Sequence, residues 1–290
     1  MIGTHISKYY LSTLLIVLLF QNISISEHSI EGIVVDGINN NPISYVNVGI
    51  AEYAIGTVSD RSGYFKLEDE RINSSTEITI SCIGYETKTI SASSLDKNTS
   101  IVLSPVSYDI EPIQITSEAL KKREIQYGIG NGIKRGKSIG FASQQLGTEV
   151  GALLFIKKAS YIKSAHFEIN HAKGDSMHFR VILRPYEKGE IGESILPADV
   201  YIHDVQTTGT IDVDLRSYDL KLRGHYLLSL QWIQNDGRDQ NEGITFDTKR
   251  SWNHPGIFAK LFSTGDIEKF TYHGRLKPCF YLKGTVIERN

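Results

Sequence analysis

The chain has 290 residues, with 31 Lys and Arg against 33 Asp and Glu and a formal net charge of −2. It lacks the basic excess that is typical of nucleic-acid-binding proteins, so we expect no nucleic-acid partner. With only 7 Pro and 25 Gly it is neither disordered nor collagen-like, and its length suits two domains better than one.

The N-terminus has the pattern of a secretory signal peptide. Lys8 precedes the apolar run Leu11–Phe20, which is too short to span a membrane because a spanning helix needs about 20 apolar residues. Ser24-Ile25-Ser26 supplies small residues at a cleavage site. A buried N-terminal helix is the alternative, but no amphipathic period follows the run. We expect residues 1–26 to be removed and the protein, which should not span a membrane, to be exported to the periplasm, the outer-membrane surface or the medium.

Residues 27–116 are predicted to form a small β-sandwich. Seven short β-type runs alternate with turns rich in Gly, Asn, Asp and Ser, and no helical period appears. Asp60 and Gly63 suit a tight turn, because Asp can bond to its own backbone and Gly accepts a positive φ. Gly84 is placed to separate two strands. The predicted strands are Ile30–Asp36, Ile43–Ile50, Gly56–Ser59, Tyr64–Leu67, Glu77–Cys82, Tyr85–Ile90 and Ser100–Leu103.

Three runs in this block share an ordered spacing with a known family. They are EGIVVDGINNNPISYVNVGIAEYAIGTVSDRSGYFKL, ITISCIGYETKTI and TSIVLSPVSYDIEPIQI. Together they resemble the carboxypeptidase regulatory-like domain, a module found at the N-terminus of many TonB-dependent outer-membrane receptors and in other exported bacterial proteins. The resemblance implies a seven-stranded, transthyretin-like sandwich, and it implies no catalytic residues. The matching positions are Gly32, Val35, Asp36, Pro42, Val46, Val48, Thr57, Asp60, Gly63, Phe65, Ile83, Gly84, Tyr85 and Leu103.

Residues 117–140 are interpreted as a basic, Gly-rich connector. Ser117 is placed to cap a short helix that runs through Gln126, with Glu118 in its first turn. The excess of Lys and Arg would suit an anionic surface, but such charge runs are more often solvated linkers, and we adopt that interpretation.

Residues 141–290 are predicted to form a second all-β domain, a jelly-roll-like sandwich. The runs GFASQQLGTEVGALLFIKKASYIKSAHFEI and MHFRVILRPYEKGEIGESIL resemble the C-terminal part of exported proteins that carry the same regulatory-like domain. By analogy of fold alone, the layout is also similar to carbohydrate-binding jelly rolls. The predicted strands are Gly151–Ile156, Ala165–Asn170, Met177–Arg184, Asp199–Val205, Thr210–Leu215, His225–Ile233, Ile257–Phe262 and Pro278–Ile287.

Two catalytic motifs lack the setting that their chemistry needs. Gly136-Lys137-Ser138 ends like a P-loop and begins a G-x-S-x-G motif, but the strand–turn–helix context of both motifs is missing. His28-Ser29-Ile30-Glu31 contains H-x-x-E, but no peptidase domain follows to supply a third zinc ligand. We therefore expect no catalytic residue and no cofactor.

A metal site is also not expected. If the runs at 165–170 and 177–184 form a hairpin, His166 and His178 approach each other, yet a zinc site would need a third donor. Polar residues on a solvent-facing surface are the simpler interpretation. The two cysteines, Cys82 and Cys279, lie in different predicted domains, so buried free thiols are favoured over a disulfide.

Trp252 is the one candidate ligand contact. It lies in a polar, Pro-containing segment and is followed by Asn253 and His254. Its flat apolar ring can stack on a sugar, with Asn253 or His254 bonding to a hydroxyl. The alternative is a ring folded over the edge of the sandwich, because large aromatic side chains usually bury most of their area.

These patterns predict an exported, non-catalytic accessory protein of a Gram-negative-type cell envelope that acts in scaffolding, adhesion or ligand presentation. Its expected partner is an envelope protein or polysaccharide, and the oligomeric state stays open. A glycan-binding module is the alternative function. A hydrolase ranks third, because no nucleophile–base or metal constellation is evident in the sequence.

Overall fold

The described part of the chain consists mainly of β-strands, with 66% strand against 4% helix, which confirms the predicted all-β, sandwich-type fold. The structure is a computed structural model. It describes residues 29–95, 99–106, 121–130, 138–142, 146–173, 177–196, 199–205, 208–235, 243–250, 256–270 and 276–288. Short 3-10 turns occur at Ala51–Tyr53, Ala92–Ser94 and Arg216–Tyr218. In the described ranges, no helix has the length and apolar character needed to cross a membrane.

Seven strands form the N-terminal sandwich. They are β1 (Ser29–Asp36), β2 (Asn47–Ile50), β3 (Ile55–Val58), β4 (Tyr64–Glu68), β5 (Glu77–Ser81), β6 (Lys88–Ser91) and β7 (Ser100–Leu103). One sheet has the order β4-β1-β7 and the other β3-β2-β5-β6. In β4, buried Phe65 and Leu67 alternate with exposed neighbours, as expected for a strand with one face on the core. Val34, Val48 and Ile80 are fully buried between the two sheets.

In the described residues from Lys121 onward, fourteen strands form the second β-unit. They are β8 (Lys121–Gly128), β9 (Ile139–Ala142), β10 (Glu149–Lys173), β11 (Met177–Glu187), β12 (Glu190–Ile191), β13 (Val200–Val205), β14 (Gly209–Asp214), β15 (Lys221–Asn235), β16 (Gly243–Phe246), β17 (Thr248–Arg250), β18 (Ile257–Lys260), β19 (Glu268–Phe270), β20 (Leu276–Pro278) and β21 (Phe280–Glu288). Twelve of them join one hydrogen-bonded sheet, and β17 and β20 pair separately. The core contains Phe167, Phe179, Trp232 and Phe280, all buried.

The 25-residue strand β10 organises this unit. Its first part pairs with β15 and β18, its middle with β14 and β21, and its end with β16. The register shifts between Ile156 and Ser160 and between Ile162 and Ser164. Such irregularities bend and twist a strand, so one strand can change partners along its length. The two runs predicted at 151–156 and 165–170 are therefore parts of one element.

One local prediction is wrong, and one pairing considered for a metal site is absent. The helix expected from Ser117 to Gln126 is, over the described residues from Lys121 onward, strand β8, which pairs antiparallel with β21. Pairing across the sheet overrides the local helical preference there. The hairpin of runs 165–170 and 177–184, which is the condition for a contact between His166 and His178, does not form, because β15 lies between β10 and β11.

Cys82 and Cys279 are both buried and free, as expected. Burial raises the pKa of Cys82 to about 11 and that of Cys279 to about 12. Both thiols are therefore protonated and poorly nucleophilic at neutral pH.

Candidate functional site

A socket of three glycines joins the N-terminal sandwich to the second β-unit. Gly49 and Gly56 are cross-strand partners in β2 and β3, and Ser263, which follows β18, packs against them. A Cβ atom at Gly56 would lie 2.0 Å from Ser263 Oγ, and one at Gly147 would lie 2.3 Å from Ser263 Cβ. Ser263 is 1% exposed, and its hydroxyl donates a 2.7 Å hydrogen bond to the Val48 carbonyl. Only glycine leaves room for this close approach.

A second set of buried contacts lies beside this socket. Arg180 of β11 is fully buried and donates through Nη2 to the Tyr45 carbonyl at 2.8 Å and through Nη1 to Gln231 Oε1 at 3.0 Å. Gln231 Nε2 in turn donates to Asn47 Oδ1 at 3.0 Å. Burial works against the Arg180 charge, but the Asp199 carboxylate, 3.1 Å from Arg180 Nε, more than compensates and keeps the pKa of Arg180 above its ordinary value. The sandwich thus satisfies polar groups that the second unit buries.

Tyr45 takes an unusual backbone conformation to make this contact. Its φ is +59°, in the left-handed region that non-glycine residues adopt at a cost of roughly 1–2 kcal/mol. The Tyr45 ring packs edge-on against Tyr201 with 5.0 Å between centroids. Together with Val58 and Ile233, Tyr45 forms a small apolar cluster that contains residues of both β-units. These contacts offset the cost of the backbone conformation.

A cleft of about 450 Å³ opens next to this contact. One wall comes from β11 and the segment around β12, through Arg184, Ile191 and Glu193. The opposite wall comes from β18 and the turn after it, through Lys260 and residues 265–267. This turn starts at Ser263, so the sandwich holds one wall of the cleft in place.

Arg184 and Lys260 form the floor of the cleft, and both contact the buried carboxylate of Glu149, which is not itself part of the cleft lining. Glu149 is 1% exposed, and its Oε1 lies 2.5 Å from Arg184 Nη1 and also accepts a hydrogen bond from the Ser229 hydroxyl. Lys260 Nζ is 3.9 Å from Glu149 Oε2 and donates to the Ser263 carbonyl at 2.8 Å. A chain of polar contacts therefore runs from Arg184 through Glu149 and Lys260 to the residue in the glycine socket.

Burial and neighbouring charges shift two of these pKa values. Burial lowers the pKa of Lys260 to about 8, with the attraction of Glu149 opposing this change and the repulsion of Arg184 adding to it. Burial by itself favours the neutral form of Glu149, but the charges of Arg184 and Lys260 hold its pKa below the ordinary value. At neutral pH the floor thus carries a net positive charge.

A smaller cavity of about 280 Å³ also contacts Lys260. Its lining is mainly apolar and includes Phe141, Ile257, Leu261 and Phe270. Glu149 also lines this smaller cavity, and among its described lining residues Lys260 is the one cation, whereas the larger cleft has Arg184 as well.

Sequence reasoning missed a hydrogen-bonded chain of Ser164, His166 and Asp212. Ser164 Oγ lies 2.8 Å from His166 Nε2, and His166 Nδ1 bonds to Asp212 Oδ1. The carboxylate fixes the proton on Nδ1, so Nε2 accepts from the Ser164 hydroxyl. Burial lowers the pKa of His166, although Asp212 opposes this. A signal existed, because Ser164 and His166 are two residues apart on one strand, but only the register His166↔Asp212 reveals the third member.

This chain has the order of a Ser-His-Asp triad. Acyl-transfer chemistry also needs oxyanion donors and a cleft that places the substrate over the serine. Neither of the two cavities described above is lined by Ser164 or His166. The imidazole is instead stacked on Tyr281, its partner in β21, at 4.5 Å between ring centroids.

Several of the predicted site residues lie outside the described part of the chain. Trp252, Asn253 and His254 lie outside the described residues, as do His28 and Lys137.

Asp60 and Gly63 lie in the turn between β3 and β4. Asp60 Oδ1 accepts from the Tyr64 amide at 3.0 Å, and Gly63 has a φ of +75°. Gly84, with a φ of +82°, lies between β5 and β6.

The two histidines considered for zinc lie apart in the sheet. His178 contacts His203, with 2.9 Å between the Nδ1 atoms, whereas His166 bonds to Asp212. Across the described part of the chain, no group of three or more His, Cys, Asp or Glu is arranged to hold a metal ion.

The fold and the cleft define an all-β protein in which an N-terminal sandwich contacts a larger β-unit. The family comparison identifies the first part, because residues 30–126 match the CarboxypepD_reg-like domain. This match confirms the resemblance inferred from the sequence. The match extends beyond β7 into β8, which belongs to the twelve-stranded sheet of the second β-unit.

Two solved structures of Cwp84 also align with the chain. A clostridial cysteine protease, Cwp84 after propeptide cleavage, aligns with a TM-score of 0.41 and 12% identity over 56% of this chain and 40% of that chain. The cysteine protease and lectin-like domains of Cwp84, a surface layer associated protein of Clostridium difficile, align with a TM-score of 0.36 and 10% identity over 51% and 36%. The chain thus spans less than half of either structure. A search of curated proteins found no match.

Proposed function

We propose that the protein is an exported, non-catalytic accessory protein of a cell envelope, in which the regulatory-like sandwich is a scaffold for a ligand-presenting cleft. The observation that carries this proposal is Ser263 in the socket of Gly49, Gly56 and Gly147. Ser263 begins the turn that supplies one cleft wall, and its carbonyl holds Lys260.

The cost of the glycines supports a scaffolding role. Glycine weakens a strand, because it adds no side-chain packing and loses more backbone entropy on folding than other residues. Gly49 and Gly56 lie directly opposite each other where β2 pairs with β3, so the destabilising effects of both glycines fall at the same place in the sheet. In return, the two glycines allow the close approach of Ser263. The sandwich therefore fixes the position of the cleft wall that begins at Ser263.

The scaffold is tested by overfilling the socket. We expect Ser263→Val to accelerate amide hydrogen exchange in residues 263–267, because the larger side chain cannot fit against the glycines. Ser217→Val, at an exposed position of the same β-unit, is the matched control and should leave that exchange unchanged. Equal exchange in both variants would contradict the scaffolding role.

The non-catalytic part of the proposal is tested at the Ser164–His166–Asp212 chain. We expect no labelling of Ser164 by a fluorophosphonate probe and no hydrolysis of ester, peptide or glycoside substrates. Labelling that disappears in Ser164→Ala would show a reactive nucleophile and overturn this part of the proposal.

Export is tested separately by intact-mass analysis of the protein secreted by a Gram-negative host. The segment Leu11–Phe20 and the Ser24/Ser26 site support a mature chain that begins near Glu27. A species that retains Leu11–Phe20 would contradict export by cleavage of a signal peptide.

A further inference from the structure

We propose that the cleft between Arg184 and Lys260 binds a carboxylate-bearing sugar, a hexuronic acid, with its carboxylate on these two cations. This inference rests on the proposed function, because it names the ligand class that the cleft presents.

The charge balance of the floor is the first argument. The side chains of Arg184 and Lys260 are only 14% and 8% exposed, and Glu149 is the one buried carboxylate that contacts both. Two cations against one anion leave an excess positive charge in a desolvated place, which is costly unless it is paired. An anionic group entering the cleft would supply the missing charge.

The available donors are the second argument. An ammonium group has three N–H donors, and Lys260 donates one of them to the Ser263 carbonyl, while Glu149 is 3.9 Å away. A guanidinium has five donors, and Arg184 directs Nη1 and Nη2 to Glu149. Both cations line the cleft, so a ligand carboxylate can bind without displacing Glu149.

The rim restricts the ligand to one negative charge. Glu193 and Asp266 are exposed carboxylates at the opening, which accept hydrogen bonds from hydroxyl groups and repel a dianion such as a phosphate ester. Ile191 and Ile267 add apolar surface against which the C–H face of a sugar ring can pack. The volume of about 450 Å³ falls in the range of about 300–1,000 Å³ that is usual for small-molecule sites.

The protonation of Lys260 links binding to pH. The charged groups around it are Glu149, Arg184, Arg180, Glu193 and Asp266. Its pKa of about 8 means that the free cleft loses this charge as the pH rises above 8. A bound carboxylate stabilises the ammonium, so affinity should decrease above pH 8.

The experiment is titration calorimetry of the full mature protein with D-glucuronate, D-galacturonate and neutral D-glucose. We expect a uronate to bind at least about tenfold more tightly than glucose, because only the uronate pairs with the floor cations. Oligogalacturonides, titrated in parallel, distinguish a polysaccharide chain from a free sugar acid as the source. Equal affinity for uronate and glucose, or no uronate binding, would overturn the inference.

Variants test the geometry. Lys260→Met should weaken uronate binding at least about tenfold without changing the weak response to glucose. Glu193→Gln should strengthen uronate binding by removing a repulsive rim charge, whereas Glu187→Gln, an exposed control on β11 outside the cleft lining, should not change it. Because Glu193 and Glu187 are both exposed, their substitutions should not affect folding. The comparison of these two variants therefore tests the carboxylate site even if Lys260→Met fails to fold.

The outcomes separate this inference from the proposed function. Binding of neutral glycans without preference for uronates would leave ligand presentation in place and refute the carboxylate site. Hydrolysis of a uronide would instead refute the non-catalytic function.

Discussion

At the scale of single residues, the positions of Ser263 and Gly56 depend on each other. A methyl group at Gly56 would overlap Ser263 Oγ, so one of the two elements must move if the glycine is replaced. Overpacking of this kind in well-packed proteins typically costs about 1–3 kcal/mol.

We therefore expect Gly56→Ala to reduce the free energy of unfolding by about 1–3 kcal/mol, measured by urea denaturation. In the Ser263→Gly background, the same substitution should cost less, because the Ser263 side chain is gone and only the Val48 carbonyl oxygen, 2.9 Å from the added Cβ, remains in close contact. A double-mutant cycle isolates this coupling. Additive effects of the two substitutions would mean that Ser263 does not occupy the socket in solution.

Lys260 predicts a pH dependence of stability. Its native pKa of about 8 lies below the ordinary value of 10.5, so between these values the unfolded state binds more protons than the native state. Stability therefore increases with pH above 8 through this group. Lys277, whose pKa burial also lowers to about 8, acts in the same direction.

The measurement is the free energy of unfolding of the parent and of Lys260→Met at pH 7 and at pH 9. Both cysteines also titrate in the unfolded chain over this range, because their ordinary pKa is 9.0, but they act equally in the two proteins. From pH 7 to pH 9 the free energy of unfolding of the parent should rise more than that of Lys260→Met. The reason is that the variant lacks the buried charge that destabilises the native parent at pH 7. A parent and variant with the same pH profile would contradict the lowered pKa of Lys260.

At the scale of elements, the sequence predicts strands well where apolar and polar residues alternate. All seven runs predicted for the sandwich and all eight runs predicted after residue 150 fall on strands of the structure, with two of the latter on the single strand β10. What the sequence could not show is pairing. The lysines and serines between Ile156 and Ala165 suggest a break, yet β10 continues through them because it changes partners at its bulges.

The sequence could not predict the cleft for the same reason, since the cleft depends on strand pairing. Arg184, Glu149 and Lys260 are far apart in the chain, and only the ladders β10–β15, β11–β15 and β10–β18 bring them together. No local pattern marks them, since each looks like an ordinary charged residue within a β-type run. The prediction of Trp252 as a ligand contact rests on the polar composition of its segment, and composition carries no information on where cavities form.

Strand β8 gives an element-scale prediction. It pairs with β21 from Lys121↔Glu288 to Gly128↔Tyr281, although the sequence suggests a connector there. We expect a fragment of residues 121–290 to melt at a higher temperature than one of residues 141–290, because the shorter fragment leaves the β21 ladder unpaired on that side. Equal melting temperatures would show that β8 adds nothing to the second unit.

At the scale of the whole molecule, the two β-units share buried groups. Arg180 of the second unit uses the Tyr45 carbonyl of the sandwich, and Gln231 uses Asn47. Separating the units exposes Ser263, Arg180 and the apolar cluster of Tyr45, Val58 and Ile233 to water. Each unit has its own core, but the second one loses hydrogen-bond partners for buried polar groups, which typically costs about 1–3 kcal/mol per group.

We therefore expect the fragment of residues 121–290 to melt at a lower temperature than the same residues do in the full chain, as followed by circular dichroism. Adding the separate sandwich, residues 29–106, should raise that melting temperature, since a partner that binds only the native state stabilises it by mass action. The matched control is the sandwich with Gly56→Val, which retains its core residues but has no room for Ser263 and should give little or no increase. If the fragment melts as in the full chain, or if both sandwiches raise the melting temperature equally, the socket does not join the units and the cleft wall does not depend on the regulatory-like domain.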